Sequence, residues 1–181
     1  MLLSNGKYFI RYYLDDKSKF WYISGPPQDV QEGQDTRAIV KCINRDTRNT
    51  KIRERDLAPE CFVDVLYLAD GKGTVLLYQT ATGRYAAVFR EQDEDPPKIA
   101  FLNSSFDTIE EDAKFHFQLV SPSGAPNDAF GVAIRSVGNS RFVEIELGAP
   151  NDPGDPGYLS PVLDELSHEN LVIFELRFGY F

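Results

Sequence analysis

The stretch that decides the fold is Lys114–Gly124, KFHFQLVSPSG, in which ring and polar side chains alternate before a Ser/Pro/Gly turn. Alternation with period two turns one face of a strand to a core and the other to water. Its relatives recur along the chain, as CFVDVLYLADG at 61–71 and NLVIFELRFG at 170–179. Taking Val65, Phe117 and Phe174 as equivalent gives steps of 52 and 57 residues, a near-constant spacing that marks an internally repeated fold.

The intervening segments repeat as well. TVLLYQTATGRYAAVF at 74–89 and FGVAIRSVGNSRFVEIEL at 130–147 both read as strand, short turn, strand, with Thr82-Gly83 and Gly138-Asn139 as turns suited to positive φ. KYFIRYYLDDKSKFWYIS at 7–24 has the same shape, turning at Asp15–Ser18. A third strand follows in each unit: RAIVKCI at 37–43, KIAFLN at 98–103 and YLSPV at 158–162. Twelve strands in three sets of four predict an all-β chain with almost no helix. The expected inward positions are Val63, Val65, Phe115, Phe117, Leu119, Val172, Phe174 and Leu176, with Ile10, Leu77, Tyr85, Ile134 and Phe142 from the other strands.

Three four-stranded units in this length resemble the β-trefoil superfamily, in which six strands close a barrel and three hairpins cap one end. The resemblance implies a single domain over 1–181 with repeats of about 1–72, 73–128 and 129–181; a β-sandwich is the alternative for short strands at this spacing. Gly-basic-aromatic elements in GKY (6–8) and GRY (83–85), with KFHFQL downstream, are similar to fascin-like and amaranthin-like lectin repeats. The opening NGKYFIRYY is similar to the first strand of the mycocypins, fungal inhibitors of cysteine proteases. Trp21 is the only tryptophan, so the repeated Q-x-W motif of ricin-type lectins is absent, and a single acidic domain departs from the multi-trefoil, basic actin-bundling fascins.

Composition bounds the partners. A net charge of −9 opposes binding to nucleic-acid phosphates or anionic membranes. No run of about 18 apolar residues predicts a membrane helix, and Met1–Gly6 is too short an apolar start for a signal peptide, so the expectation is a cytoplasmic protein. Cys42 and Cys61 are too few for a disulfide framework or a four-ligand zinc site; buried thiols are the favoured reading, with a Cys42–Cys61 bridge as the alternative. Asn103-Ser104-Ser105 is a glycosylation sequon.

No catalytic motif is present, and the two histidines read as structural: His116 as a solvated strand residue pointing away from the core, His168 as part of a helical turn in LDELSHENL. The chain therefore reads as a non-enzymatic binding protein that needs no cofactor. PNDPGDPGY (150–158) and EQDEDPPK (91–98) carry clustered carboxylates but match no metal-binding loop, and are read as solvated tips. The function that suits the fold is lectin-like binding of a glycan or glycoprotein, in which loop aromatics stack on a sugar while carboxylates and amides take its hydroxyls. The candidate ligand residues are Trp21, Tyr22, Asn103, Asp152, Asp155 and Tyr158. The alternative is a protease inhibitor acting through the long connection 44–60, with Arg45, Arg48, Lys51, Arg53 and Arg55 presented to the enzyme.

Overall fold

Nearly every alternating stretch becomes a strand. The computed structural model describes residues 5–12, 19–24, 36–44, 59–90, 92–122, 131–148 and 157–176. They form β1 (Gly6–Tyr12), β2 (Lys19–Ser24), β3 (Thr36–Arg37), β4 (Ile39–Asn44), β5 (Phe62–Tyr67), β6 (Thr74–Gln79), β7 (Arg84–Phe89), β8 (Lys98–Leu102), α1 (Phe106–Glu111), β9 (Phe117–Val120), β10 (Ala133–Ser136), β11 (Phe142–Glu146), β12 (Gly157–Leu163) and β13 (Val172–Leu176). Ala38 alone separates β3 from β4, which together serve as one third strand.

Six strands close into a ring. β1 pairs with β5, β5 with β6, β6 with β9 and β9 with β10; the Val132–Val172 bridge joins the end of β10 to β13, which returns to β1. Closure leaves these strands no free edge and excludes two stacked sheets. The hairpins β2–β4, β7–β8 and β11–β12 hang from the ring through Arg11–Tyr22, Tyr78–Tyr85 and Arg135–Phe142. Their third strands meet at one end: β12 pairs with β4, β3 pairs with β8, and the Ala38 N–H donates to the Ile99 carbonyl at 2.8 Å.

These pairings fix a pseudo-threefold core. Leu77, Ile134 and Ile10 occupy equivalent places on the first strands of the units, opposite Val65, Leu119 and Phe174 on the fourth strands. Tyr8, Val75 and Val132 form a second set, opposite Val63, Phe117 and Val172. All twelve are buried except Leu119, which is half-buried and packs on the cluster. Each such side chain contributes roughly 1.5–3 kcal/mol by leaving water, and no unit has a partner for its apolar face within itself. At the centre a cavity of about 20 Å³ remains among apolar side chains such as Ile10, Ile23, Ala86, Ile99, Phe117 and Leu159. It is too small for an organic ligand and offers a water no polar partner.

Several expectations are corrected. The equivalent of Val65 is Leu119, not Phe117, so the true steps are 54 and 55 residues (65 to 119, 119 to 174). On the second strands the phase is reversed: Ala86 and Val143 are buried, while Tyr85 and Phe142 are half-buried on the outer face. The side chain of Leu176 is outside the described set. Lys114 and Phe115 belong to a 3₁₀ turn, Ala113–Phe115, and β9 begins at Phe117. GKY lies on a barrel strand and GRY on a lid strand, so the two tripeptides are not equivalent positions.

The α1 helix was not expected. Ser105 caps it by accepting the Thr108 N–H, and its one buried residue, Ile109, packs with Phe115 on Leu76 and Ala87. This satellite core buries residues of β6 and β7 that otherwise point to solvent. Beside it, Gly138 is needed for close approach, because a Cβ there would lie 3.1 Å from the Ala113 carbonyl oxygen. The positive φ in that turn belongs instead to Ser140, at +59°, the place held in the preceding unit by Gly83 at +68°.

Candidate functional site

The threefold scheme turns one row of residues outward on each flank of the barrel. On the flank of β1, β5, β6, β7 and β8, direct cross-strand pairing runs Lys7–Asp64–Tyr78–Tyr85–Leu102. Neighbouring residues of a row lie on one face and interact. Lys7 Nζ is 2.9 Å from Asp64 Oδ2 and donates to Thr80 Oγ1 at 2.6 Å, while the Thr80 hydroxyl donates to the same Asp64 oxygen. Asp64 Oδ1 accepts from no described residue, which leaves a carboxylate oxygen held in place by its other half.

Next in the row, the Tyr78 and Tyr85 rings lie 4.6 Å apart, tilted by 39°. The helical cover reaches Tyr85 and Leu102 and then stops, so the pair forms a ledge at the margin of the satellite core. Burial raises the Tyr85 phenol above the usual tyrosine value, with the neighbouring Tyr78 as a smaller cause. The Tyr85 phenol is thus a neutral hydrogen-bonding group at neutral pH. Gly83 keeps the β6–β7 turn thin, and a Cβ there would sit 4.0 Å from the Tyr78 hydroxyl.

Those residues singled out from the sequence that are described lie on β2, on β12 and just past the end of β8. Asn103 is exposed and follows Leu102, just past the end of β8. Tyr158 is half-buried on β12, opposite Glu146 and Ile39, with Lys98 Nζ 4.8 Å above its ring. Asn103 lies five residues along β8 from Lys98, about 17 Å, so Asn103 and Tyr158 do not form one pocket. Trp21 and Tyr22 sit on β2 opposite Cys42 and Lys41, without described side chains. Asp152 and Asp155 fall outside the described residues, as do Arg45, Arg48, Lys51, Arg53 and Arg55 of the inhibitor reading. Cys61 is buried at the end of a 3₁₀ turn, and the side chain of Cys42 is not described.

The titratable groups elsewhere have structural partners. His116 is not a solvated strand residue: it is part-buried and its Nε2 lies 2.8 Å from the Ile109 carbonyl, so that nitrogen carries the proton and ties α1 to β9. His168 opens a 3₁₀ turn capped by Ser167. At the 92–95 tip, Arg90 Nη1 donates to the carbonyls of Asp93 and Asp95. Among the described residues no three His, Cys, Asp or Glu converge on a metal position, and no helix is long and apolar enough to cross a membrane.

Sequence reasoning missed Lys7, Asp64, Tyr78, Thr80 and Tyr85 as a group, because their adjacency exists only through strand register. The weak signal was Asp64, a lone charge inside the apolar run CFVDVLYL.

The sequence matches no protein-family profile and no curated protein. Solved structures do match over nearly the whole chain. A mosquitocidal holotoxin aligns at TM-score 0.64 and 10% identity over 97% of this chain, which spans only 18% of that one. The Polyporus squamosus lectin, solved with the epitope Neu5Aca2-6Galb1-4GlcNAc, aligns at TM-score 0.60 and 10% identity over 97% of this chain and 50% of its own. The protein described as BEL beta-trefoil aligns at TM-score 0.58 and 11% identity, over 98% of this chain and 97% of its own. With the six-stranded ring, three lids and full-length agreement with a trefoil of the same extent, the fold of this chain is a β-trefoil.

Proposed function

We propose that the protein is a carbohydrate-binding β-trefoil that holds a sugar ring on the Tyr78–Tyr85 ledge. The observation that supports this reading is the unbroken row in which an aromatic pair adjoins a fixed carboxylate with one unengaged oxygen. A pyranose presents an apolar C–H face and a rim of hydroxyls, and the two halves of the row match those two surfaces. Asp64 Oδ1 accepts from the hydroxyls, and the tyrosine hydroxyls and Asn103 supply further hydrogen-bonding partners at the edges. Lys7 and Thr80 hold Asp64 in one orientation, which lowers the ordering cost of binding. Likeness to a lectin in fold agrees with this reading.

The test is a glycan array followed by titration of the best ligand. Tyr78→Ala and Asp64→Asn are each expected to weaken binding by about tenfold or more, corresponding to ~1.4 kcal/mol. Full-strength binding by both variants, with unchanged thermal unfolding, would refute the assignment of the ledge.

A further inference from the structure

The equivalent row on the next flank carries a cation with no described carboxylate partner in place of the Lys7–Asp64 ion pair. It runs Thr74–Gln118–Arg135–Phe142–Leu163, so Arg135 stands where the first row has Tyr78, and Gln118 where it has Asp64. The Arg135 guanidinium carbon lies 5.8 Å from the Phe142 ring centroid, and its Nε donates to the Ser140 carbonyl at 3.2 Å. No described carboxylate pairs with Arg135, whereas the nearby Arg141 is neutralised by Asp164. The two terminal amino groups of the guanidinium, a planar fork suited to oxyanions, are thus left without a described partner.

The turn that fixes this arginine is built with care. Ser140 adopts φ +59°, the single described non-glycine residue in the left-handed region. Asn139 braces it on both sides, donating Nδ2–H to the Pro161 carbonyl at 2.8 Å and accepting the Arg141 N–H at 3.1 Å. The Ser136 N–H donates to the Arg141 carbonyl at 2.9 Å and closes the turn.

We infer that the Arg135–Phe142 flank is a second saccharide station, selective for acidic sugars whose carboxylate or sulfate engages the guanidinium while the ring edge rests on Phe142. This rests on the reading of the protein as a carbohydrate binder. The overall charge of −9 opposes an anion, but at physiological salt that field is screened beyond about 8 Å, whereas the guanidinium acts at contact. The local charge therefore decides the selectivity.

The experiment titrates the full chain with D-glucuronic acid (carboxylate source), glucose 6-sulfate (sulfate source) and glucose, monitored by NMR, for wild type, Arg135→Gln and Arg135→Lys. Arg135→Gln is expected to weaken binding of the acidic sugars, read at the Arg135 and Phe142 amides, at least tenfold, and Arg135→Lys less because it keeps the charge without the fork. Preference of one acidic sugar over the other identifies the anion source. Undiminished binding of both acidic sugars by Arg135→Gln overturns the inference and leaves the tyrosine ledge standing. Failure of every sugar, on this panel and on the array, overturns both readings.

Discussion

Gly83 and Gly138 occupy the two short turns between the first and second strands of their units, yet the structure requires glycine at each for a different reason. At Gly138 the constraint is space: a Cβ would meet the Ala113 carbonyl oxygen at 3.1 Å and its carbon at 3.3 Å. That carbonyl cannot easily retreat, because it accepts the His116 N–H at 3.1 Å, and the His116 carbonyl in turn accepts the Val137 N–H at 2.9 Å. Overpacking of this kind costs about 1–3 kcal/mol, offset by roughly 0.4–1 kcal/mol from stiffening the unfolded chain. A net loss of about 1–2 kcal/mol is expected for Gly138→Ala, a fall in Tm of roughly 2–8 °C at this chain length. At Gly83 the constraint is the backbone, with φ +68° and no close contact beyond the Tyr78 hydroxyl at 4.0 Å. Alanine there costs about 1–2 kcal/mol for the left-handed conformation, and asparagine, which tolerates it, costs less. The assay is thermal and urea unfolding of Ala and Asn variants at both sites. Asparagine should rescue position 83 and not position 138. Rescue at both, or a Gly138→Ala protein as stable as wild type, would refute the close-approach argument.

Other outcomes follow from the same geometry. Ser140→Gly relieves the left-handed residue of the Arg135 turn and should stabilise the protein by roughly 0.5–1 kcal/mol, read from the urea midpoint. Phe117→Ala removes a fully buried ring from the core cluster that the three units build together and should cost about 3–5 kcal/mol by the same assay; a loss under 1 kcal/mol would contradict the shared core. The Lys114 backbone N–H, chiefly, with the Lys114 ammonium as a lesser cause, holds Asp112 below the usual carboxylate pKa. A depressed folded pKa contributes stability above the unfolded value of about 3.9 and loses it as pH falls through the folded value. The Tm gap between wild type and Asp112→Ala should therefore be constant near neutrality and shrink below about pH 4.

The sequence carried the fold because alternation and recurrence are local signals. Ile10, Leu77, Val63 and Val65 announce their faces by period two, and three copies of that pattern leave few ways to close a core. What it hid were features set by register. Phe117 and Phe174 look alike, but backbone pairing aligns Phe174 with Leu119; ring identity is a poorer guide than the hydrogen-bond ladder. Ala86 and Ala87 gave no sign of which faced inward, so the bulkier Tyr85 drew the inward assignment. The helix α1 has six residues, too short for a visible helical period, and so the burial of Leu76 from the outer side was not legible. The tyrosine ledge shares this cause: Lys7, Asp64, Tyr78, Tyr85 and Leu102 come from five strands and become neighbours only when the barrel closes.

Chemical-shift mapping with the best array ligand tests the central claim most directly. Amide signals of Asp64, Tyr78, Thr80, Tyr85 and Asn103 should move together and saturate with one dissociation constant, while those around Tyr158 stay still. Shifts confined to the Tyr158–Lys98 end of the lid, with the β5–β6–β7 flank unmoved, would contradict the account.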